Sequence, residues 1–326
     1  MARSATDTAP PGPTARQARR LHEDGNHRVT LFAAPGGSDR AVVCFEAGRD
    51  VMNGYEPTTC PRFAERLGID ALTVQTARRD WFLSDTSDAL AAALDAATVG
   101  YADVCATGFS MGGYGALLYS RAAHLRRVLA VSPQYSIDPA IAPYDPGRHE
   151  KFARIGRDMP LPEARGDTAL RGVVIYDPTI PADRAHVQRI RAAFPHLKAV
   201  ALPHGGHPAT GVVAEAGGIG TISTMLVQRR LDAGRIRRMH RAARHASPRY
   251  RLSLASAAAA HHAPRAVVIL QELARDAVPK LRLEACLALL TLDPDAGTAA
   301  LSRLLDDVPD APPSWAKRIA RAVARN

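Results

Sequence analysis

One stretch decides the fold, Val104-Cys105-Ala106-Thr107-Gly108-Phe109-Ser110-Met111-Gly112-Gly113-Tyr114-Gly115-Ala116-Leu117-Leu118. An apolar run typical of a buried strand ends at Gly108, and an alanine- and leucine-rich run typical of a helix begins after Gly112. Ser110 lies between them, with glycine two residues away on each side. Glycines suit a sharp strand-to-helix turn because a side chain there would collide with neighbouring backbone. This G-x-S-x-G pattern predicts a nucleophile elbow that exposes the Ser110 hydroxyl.

The composition is that of a globular protein. The chain has 326 residues, of which 46% are hydrophobic, enough for one α/β domain and a smaller companion. No apolar run approaches the ~20 residues of a membrane helix, and residues 1–20 do not have the apolar core of a secretory signal. The four cysteines lack metal-ligand spacing and indicate no disulfide framework. We therefore expect a cytoplasmic protein with no metal or other cofactor.

The net charge of +10 weakly favours acidic partners. Only 5% of the residues are aromatic, so few side chains are available to stack on bases. Nucleic acid and membranes are therefore not expected as partners.

Strand-like and helical runs alternate over residues 26–230. The strand-like runs are 28–32, 41–46, 71–75, 104–108, 128–131, 172–176 and 197–202. Apolar strands separated by helices predict a mostly parallel sheet covered by helices on both faces. The functional loops of such a sheet gather at the carboxyl ends of its strands. Residues 1–25 are predicted to form a flexible tail.

A serine nucleophile needs a base and a carboxylate that orients the base. Two aspartates follow the strand 172–176. Asp177 is preferred as the acid because it lies nearer the strand end, whereas Asp183 begins a helix, where aspartate also serves as a cap. His207 is preferred over His204 as the base because Gly205-Gly206 gives its loop freedom to reach the serine.

The oxyanion hole needs two backbone N–H donors. The amide of Met111 follows the nucleophile and opens the predicted helix, so it is one candidate. The second is expected in the loop after the strand 41–46, and Gly48 is the candidate there. Trp81 follows another strand end and is a candidate substrate-binding residue.

Two segments depart from the alternating pattern. Residues 133–170 carry several prolines and many charges. This composition is consistent either with a cap over the site or with a long surface loop. Residues 231–326 are helical, begin with an arginine-rich run and contain a faint repeat. In that repeat, Leu270, Leu273 and Asp276 recur as Leu301, Leu304 and Asp307, which suggests stacked helical hairpins of the HEAT or tetratricopeptide kind and a protein-partner module.

The motifs resemble those of the α/β-hydrolase superfamily. The resemblance rests on Gly108-Phe109-Ser110-Met111-Gly112-Gly113, Asp177-Pro178 and Gly205-Gly206-His207, and it spans roughly residues 29–228. The run from Gly108 to Ser120, followed by Ser132-Pro133-Gln134-Tyr135-Ser136, is similar to bacterial α/β hydrolases found in polysaccharide-related settings.

This resemblance implies an α/β-hydrolase fold with a C-terminal all-α segment, and a serine esterase with a Ser110–His207–Asp177 triad. The expected substrate is a small molecule or an acylated saccharide with an ester bond. A thioester or an O-acyl sugar would also fit this expectation. Two alternatives remain open. The same residues would serve an acyltransferase, or the fold would be catalytically idle and act as a partner-binding module.

Overall fold

The computed structural model describes residues 16–49 and 51–324, except the side chain of Asp276. An eight-stranded sheet forms its centre, in the order β1-β2-β4-β3-β5-β6-β7-β8. The strands are β1 Ala18–Glu23, β2 His27–Phe32, β3 Arg40–Phe45, β4 Asp70–Thr76, β5 Asp103–Phe109, β6 Leu125–Val131, β7 Arg171–Tyr176 and β8 Leu197–Ala201. Strand β2 is antiparallel to both of its neighbours, and β3 to β8 are parallel. The predicted mostly parallel sheet is therefore confirmed.

The predicted flexible tail is wrong for its last part. Residues 18–23 form β1, which pairs antiparallel with β2 at the edge of the sheet. Most β1 side chains are exposed, so the strand has no buried apolar face to reveal it in the sequence. Residues 1–15 lie outside the described part of the chain.

Thirteen α-helices are seen in the described residues, besides one 3-10 helix, Pro146–Arg148. They are α1 Arg62–Leu67, α2 Ser87–Thr98, α3 Met111–Leu118, α4 His149–Ile155, α5 Pro162–Arg165, α6 Pro181–Ala193, α7 Gly211–Glu215, α8 Ile219–Val227, α9 Ala233–Ala243, α10 Pro248–Asp276, α11 Pro279–Leu292, α12 Pro294–Asp307 and α13 Pro313–Val323. None of these helices is both long and apolar enough to cross a membrane.

The helices cover both faces of the sheet. One core contains α2, α3 and α6, which contribute Leu90, Tyr114 and Ile190. The other contains α1, α8 and α9, which contribute Ala64, Ile222 and Ile236. Because both faces are covered, the central strands are mainly apolar, as parallel strands usually are. The loops at the carboxyl ends of the strands remain available for a site.

The C-terminal helices form a core of their own. Helices α10 to α13 bury a third apolar cluster that includes Leu270, Leu289 and Leu304. Helix α10 is kinked at His262, two residues before Pro264, because proline cannot complete the helical hydrogen-bond ladder. Helix α9, by contrast, packs on the sheet through Ile236. We therefore propose that the boundary of the helical module lies near residue 247 and not at residue 231.

Candidate active site

The turn after β5 is a strained elbow. Ser110 has φ 51° and ψ −117°, a backbone conformation that costs energy for a residue with a side chain. A Cβ on Gly108 would lie 2.1 Å from the carbonyl oxygen of Gly112, and one on Gly112 would lie 2.5 Å from that of Phe45. Neither position can carry a side chain without moving the backbone. The two glycines therefore let α3 start directly against the ends of β3 and β5.

Ser110, His207 and Asp183 form a hydrogen-bonded row. Nε2 of His207 lies 2.8 Å from Oγ of Ser110, and Nδ1 lies 3.1 Å from Oδ1 of Asp183. A carboxylate can only accept, so the imidazole proton is on Nδ1, and Nε2 is left to accept from the serine hydroxyl. The Asp183 side chain is 2% exposed and lies in the first turn of α6, whereas the His207 side chain is 25% exposed. The carboxylate of the row is therefore buried, whereas part of the imidazole remains accessible to solvent.

The expected role of Asp177 is not supported by its position. Its Oδ1 accepts hydrogen bonds from the backbone N–H of Thr179, the Thr179 hydroxyl and the backbone N–H of His204, and its Oδ2 accepts one from Gly206. The carboxylate thus joins the loop after β7 to the loop after β8. The aspartate that contacts His207 is Asp183, the alternative in the sequence.

His204 points away from Ser110, toward the C-terminal helices. Its Nδ1 lies 3.0 Å from Oγ of Ser253 in α10, and its ring meets Tyr250 edge-on at 5.4 Å. On the same helix, Nη1 of Arg249 lies 3.5 Å from the place of a Cβ on Gly206. The start of α10 therefore supports the loop that carries His207.

Gln134 is a site residue that was not predicted from the sequence. It is fully buried, and its Nε2 lies 3.2 Å from Oγ of Ser110 and 3.1 Å from the carbonyl oxygen of Ser132. Nε1 of Trp81 donates to Oε1 of Gln134 at 3.2 Å, and this fixes which end of the amide faces the serine. Gln134 lies three residues beyond β6, so its position after a strand end was the signal available in the sequence.

Trp81 does not have the position expected of a substrate-binding residue. Its side chain is 1% exposed and belongs to the apolar core that contains α2, α3 and α6. Trp81 therefore reaches Ser110 through Gln134 rather than lining an open surface.

The two candidate oxyanion donors lie on either side of the elbow. Met111 is the first residue of α3, and its N–H belongs to the helix N-terminus, where partial positive charge favours an oxyanion. Gly48 lies in the loop after β3, where a Cβ would be 2.9 Å from Nε of Arg79. That loop passes beside the elbow, since Gly112 lies against the carbonyl oxygens of Phe45 and Glu46. Both amides stay candidates for the oxyanion hole.

The segment 133–170 brings Arg148 to the site. Nη2 of Arg148 lies 3.1 Å from Nε2 of His207, and its Nη1 donates to both oxygens of Asp145 at 2.8 and 2.7 Å. Asp145 is also 2.9 Å from Nε2 of the buried His186. Burial raises the pKa of Asp145, but the contacts with His186 and Arg148 outweigh it and keep the pKa below its usual range. Burial lowers the pKa of His186, although the neighbouring Asp145 carboxylate acts in the opposite direction. The lowered pKa favours a neutral imidazole.

Within residues 16–49 and 51–324, no group of three or more His, Cys, Asp or Glu side chains is placed to hold a metal ion. The expectation that the protein has no metal or other cofactor stays a prediction.

No protein-family model and no curated protein matches the sequence. Solved structures do match, at low identity. MPT51 of Mycobacterium tuberculosis is 15% identical over 68% of this chain and 99% of its own, with a TM-score of 0.44. A putative thioesterase from a Silicibacter species is 15% identical over 66% of this chain and 85% of its own, with a TM-score of 0.46. The capsule O-acetyltransferase of Neisseria meningitidis serogroup A is 13% identical over 57% of this chain and 86% of its own, with a TM-score of 0.41.

The fold is identified by the topology of the chain itself. A mostly parallel sheet is covered on both faces, the strained serine follows the central strand β5, and histidine follows the last strand. On these grounds the chain has the α/β-hydrolase fold, with an all-α segment after it.

Proposed function

We propose that the protein is a serine acyl hydrolase in which Ser110 is the nucleophile, His207 the general base and Asp183 the residue that orients the base. The observation that carries the proposal is the unbroken row of contacts from the Asp183 carboxylate through the imidazole to the serine hydroxyl. Asp183 replaces Asp177 in this role. The substrate is an ester, and a thioester or an O-acyl sugar is within the same chemistry.

The first half-reaction acylates the serine. Nε2 of His207 takes the hydroxyl proton as Oγ of Ser110 attacks the carbonyl carbon, and the negative oxygen that forms is stabilised by backbone N–H groups. We assign these to Met111 and to the loop at Gly48. The carbon–oxygen or carbon–sulfur bond to the leaving group then breaks, and the imidazolium returns the proton to the leaving atom. The Asp183 carboxylate stabilises the imidazolium throughout.

The second half-reaction removes the acyl group from Ser110. Water gives a proton to Nε2 of His207 and attacks the acyl carbon, and the proton then returns to Oγ of Ser110. An alcohol that takes the place of water would make the same residues an acyltransferase. Gln134 supports both steps, since its amide donates to Oγ of Ser110 and holds the oxygen in reach of the base.

The test is labelling with a fluorophosphonate, which reacts with an activated serine without requiring knowledge of the substrate. We expect the wild type to be labelled on Ser110 and the Ser110→Ala variant to remain unlabelled. The matched control is Ser302→Ala, on the exposed face of α12, which should label like the wild type. A folded wild type that does not react would support the idle, partner-binding alternative instead.

A further inference from the structure

Arg148 and Ser110 contact the same imidazole nitrogen. Nε2 of His207 lies 2.8 Å from Oγ of Ser110 and 3.1 Å from Nη2 of Arg148. A guanidinium can only donate, and a neutral imidazole with its proton toward Asp183 has a single acceptor lone pair on Nε2. The two donors therefore compete for one lone pair, and Arg148 lies where His207 would pass a proton to a leaving group.

Arg148 is held in this position by its other nitrogen. Nη1 contacts both oxygens of Asp145, whose side chain is 5% exposed and is itself held by His186. The Arg148 side chain is 17% exposed, so its charge is only partly screened by water. Nη2 thus presents a preorganised cationic donor to the site.

More basic residues follow Arg148 along the same helix. Arg148 is the N-cap of α4, and Lys151 and Arg154 come three and six residues later, so that each is a neighbour on the helix surface of the one before it. Both line a cavity of about 400 Å³ between α4 and the loop after β4. We call this cavity the basic cleft; its charged lining residues are Arg78, Arg79, Asp80, Asp85, Lys151, Arg154 and Arg157.

The basic cleft reaches the candidate oxyanion loop at its other side. Arg79 lines the cleft and also packs on Gly48, where Nε lies 2.9 Å from the place of a Cβ. The cleft therefore lies between two elements that both touch the serine's surroundings. One is α4, whose N-cap is Arg148, and the other is the loop after β3.

The acidic groups at the cleft do not cancel its charge. Asp85 is 89% exposed and paired with Arg157 at 2.7 Å, whereas the pair of Arg154 with Glu150 is 3.9 Å long and exposed on both sides. Burial raises the pKa of Asp80 to about 6, against hydrogen bonds that lower it, so its negative charge is partly lost in mildly acidic solution. Five basic and two acidic side chains leave the cleft positive.

We propose that the substrate of Ser110 carries a phosphate or carboxylate on its leaving group, bound by Arg148 beside the imidazole and by the basic cleft beyond it. The inference rests on the proposed function and assigns it a substrate class. It places the anion on the leaving-group side because Nε2 of His207 must protonate the leaving atom, and Arg148 is the residue beside that nitrogen.

Binding such an anion would also prepare the base. When Nη2 of Arg148 donates to the substrate anion, the lone pair on Nε2 of His207 is left to the Ser110 hydroxyl alone. The proton then passes from Oγ to Nε2 as the serine–carbon bond forms, and from Nε2 to the leaving oxygen or sulfur as the acyl bond breaks. Arg148 stays protonated throughout.

The test uses three acetate esters whose leaving groups differ in charge. They are the esters of 4-hydroxyphenyl phosphate, of 4-hydroxybenzoate and of 4-cresol, which carry a phosphate, a carboxylate and no charge. We compare kcat/KM for each anionic ester with that for the neutral one. A variant that is less active on all esters keeps the same ratio, so the ratio reports only on recognition of the anion. The two anionic esters distinguish a preference for phosphate from a preference for carboxylate.

We expect the wild type to prefer at least one of the anionic esters. In Arg148→Gln the ratio of anionic to neutral should fall about tenfold or more, since a charge-assisted contact is lost. The double variant Lys151→Gln/Arg154→Gln should also lower this ratio, because it removes two positive charges from the basic cleft. The loss should come mainly from a higher KM for the anionic esters. The matched control removes two charges from exposed positions on α6 and β8, in Arg191→Gln/Lys198→Gln, and should leave the ratio unchanged.

The outcomes separate this inference from the function on which it rests. If Ser110 is labelled by a fluorophosphonate but the ratio is the same in all variants, the leaving-group assignment is wrong and the esterase proposal stands. A merely structural role of Arg148 would lower all three activities together and keep the ratio, which also contradicts the inference. A folded wild type that the fluorophosphonate does not label on Ser110 would overturn both the inference and the proposed function.

Discussion

Two buried carboxylates, one in the loop after β7 and one in the first turn of α6, have different tasks although they lie six residues apart. Asp177 is 1% exposed and Asp183 is 2% exposed. The oxygens of Asp177 already accept four hydrogen bonds from the loops that surround it. Both oxygens of Asp183 lie within 3.3 Å of Nδ1 of His207. The comparison teaches that nearness to a strand end does not decide which carboxylate contacts the histidine; the direction in which the folded chain points the side chain does.

The largest expected effect is on activity and comes from Asp183→Asn. We expect kcat/KM for p-nitrophenyl acetate to fall about 10³- to 10⁴-fold, because an amide no longer holds the imidazole in the required tautomer. Asp177→Asn should stay within about tenfold of the wild type, since it keeps one acceptor oxygen in the loop. The reverse order, in folded variants, would return the acid role to Asp177.

The second effect is on stability and comes from Asp177→Ala. Removing the carboxylate leaves the half-buried N–H groups of His204 and Gly206, and both the N–H and the hydroxyl of Thr179, without their acceptor. We expect the free energy of unfolding to fall by about 2–4 kcal/mol in urea denaturation. Asp138→Ala removes an acceptor from an exposed turn, at the N–H of Ala140, and should cost under about 1 kcal/mol. Equal losses in the two variants would contradict the bracing role.

The smallest effect concerns the support of the same loop from α10. Ser253→Ala removes the contact with Nδ1 of His204, and we expect fluorophosphonate labelling of Ser110 to slow by about two- to fivefold, the scale of one hydrogen bond. Ser256→Ala, one exposed turn further along the helix, is the control and should label at the wild-type rate. If the two variants label alike, α10 packs beside the loop without positioning it.

The elbow and the histidine that contacts Ser110 could be predicted because each is carried by a local pattern. Ser110 follows a strand with glycine on both sides, and His207 follows the last strand after two glycines. The choice between Asp177 and Asp183 could not be made in this way, because the two differ in the hydrogen bonds that each makes after folding. The place of Trp81 could not be predicted for a related reason, because its burial and its hydrogen bond to Gln134 arise only in the folded chain.

An edge strand and two residues with long-range contacts were also not predicted from the sequence. Strand β1 has a mostly exposed, arginine-rich sequence without alternation, and its pairing with β2 alone makes it a strand. Arg148 belongs to a charged segment in which nothing distinguishes it from its neighbours, and its role depends on a contact 59 residues along the chain. Gln134 depends in the same way on Trp81 and Ser110. Such contacts are properties of the folded chain.

The most direct test of the account is a double-mutant cycle between the base and each aspartate, read out as the rate of fluorophosphonate labelling of Ser110. If Asp183 acts through His207, Asp183→Asn slows labelling strongly in the wild type and adds no further loss in a His207→Ala background. The small effect of Asp177→Asn should be similar in both backgrounds. An Asp183→Asn effect of the same size with and without the imidazole would contradict the assignment.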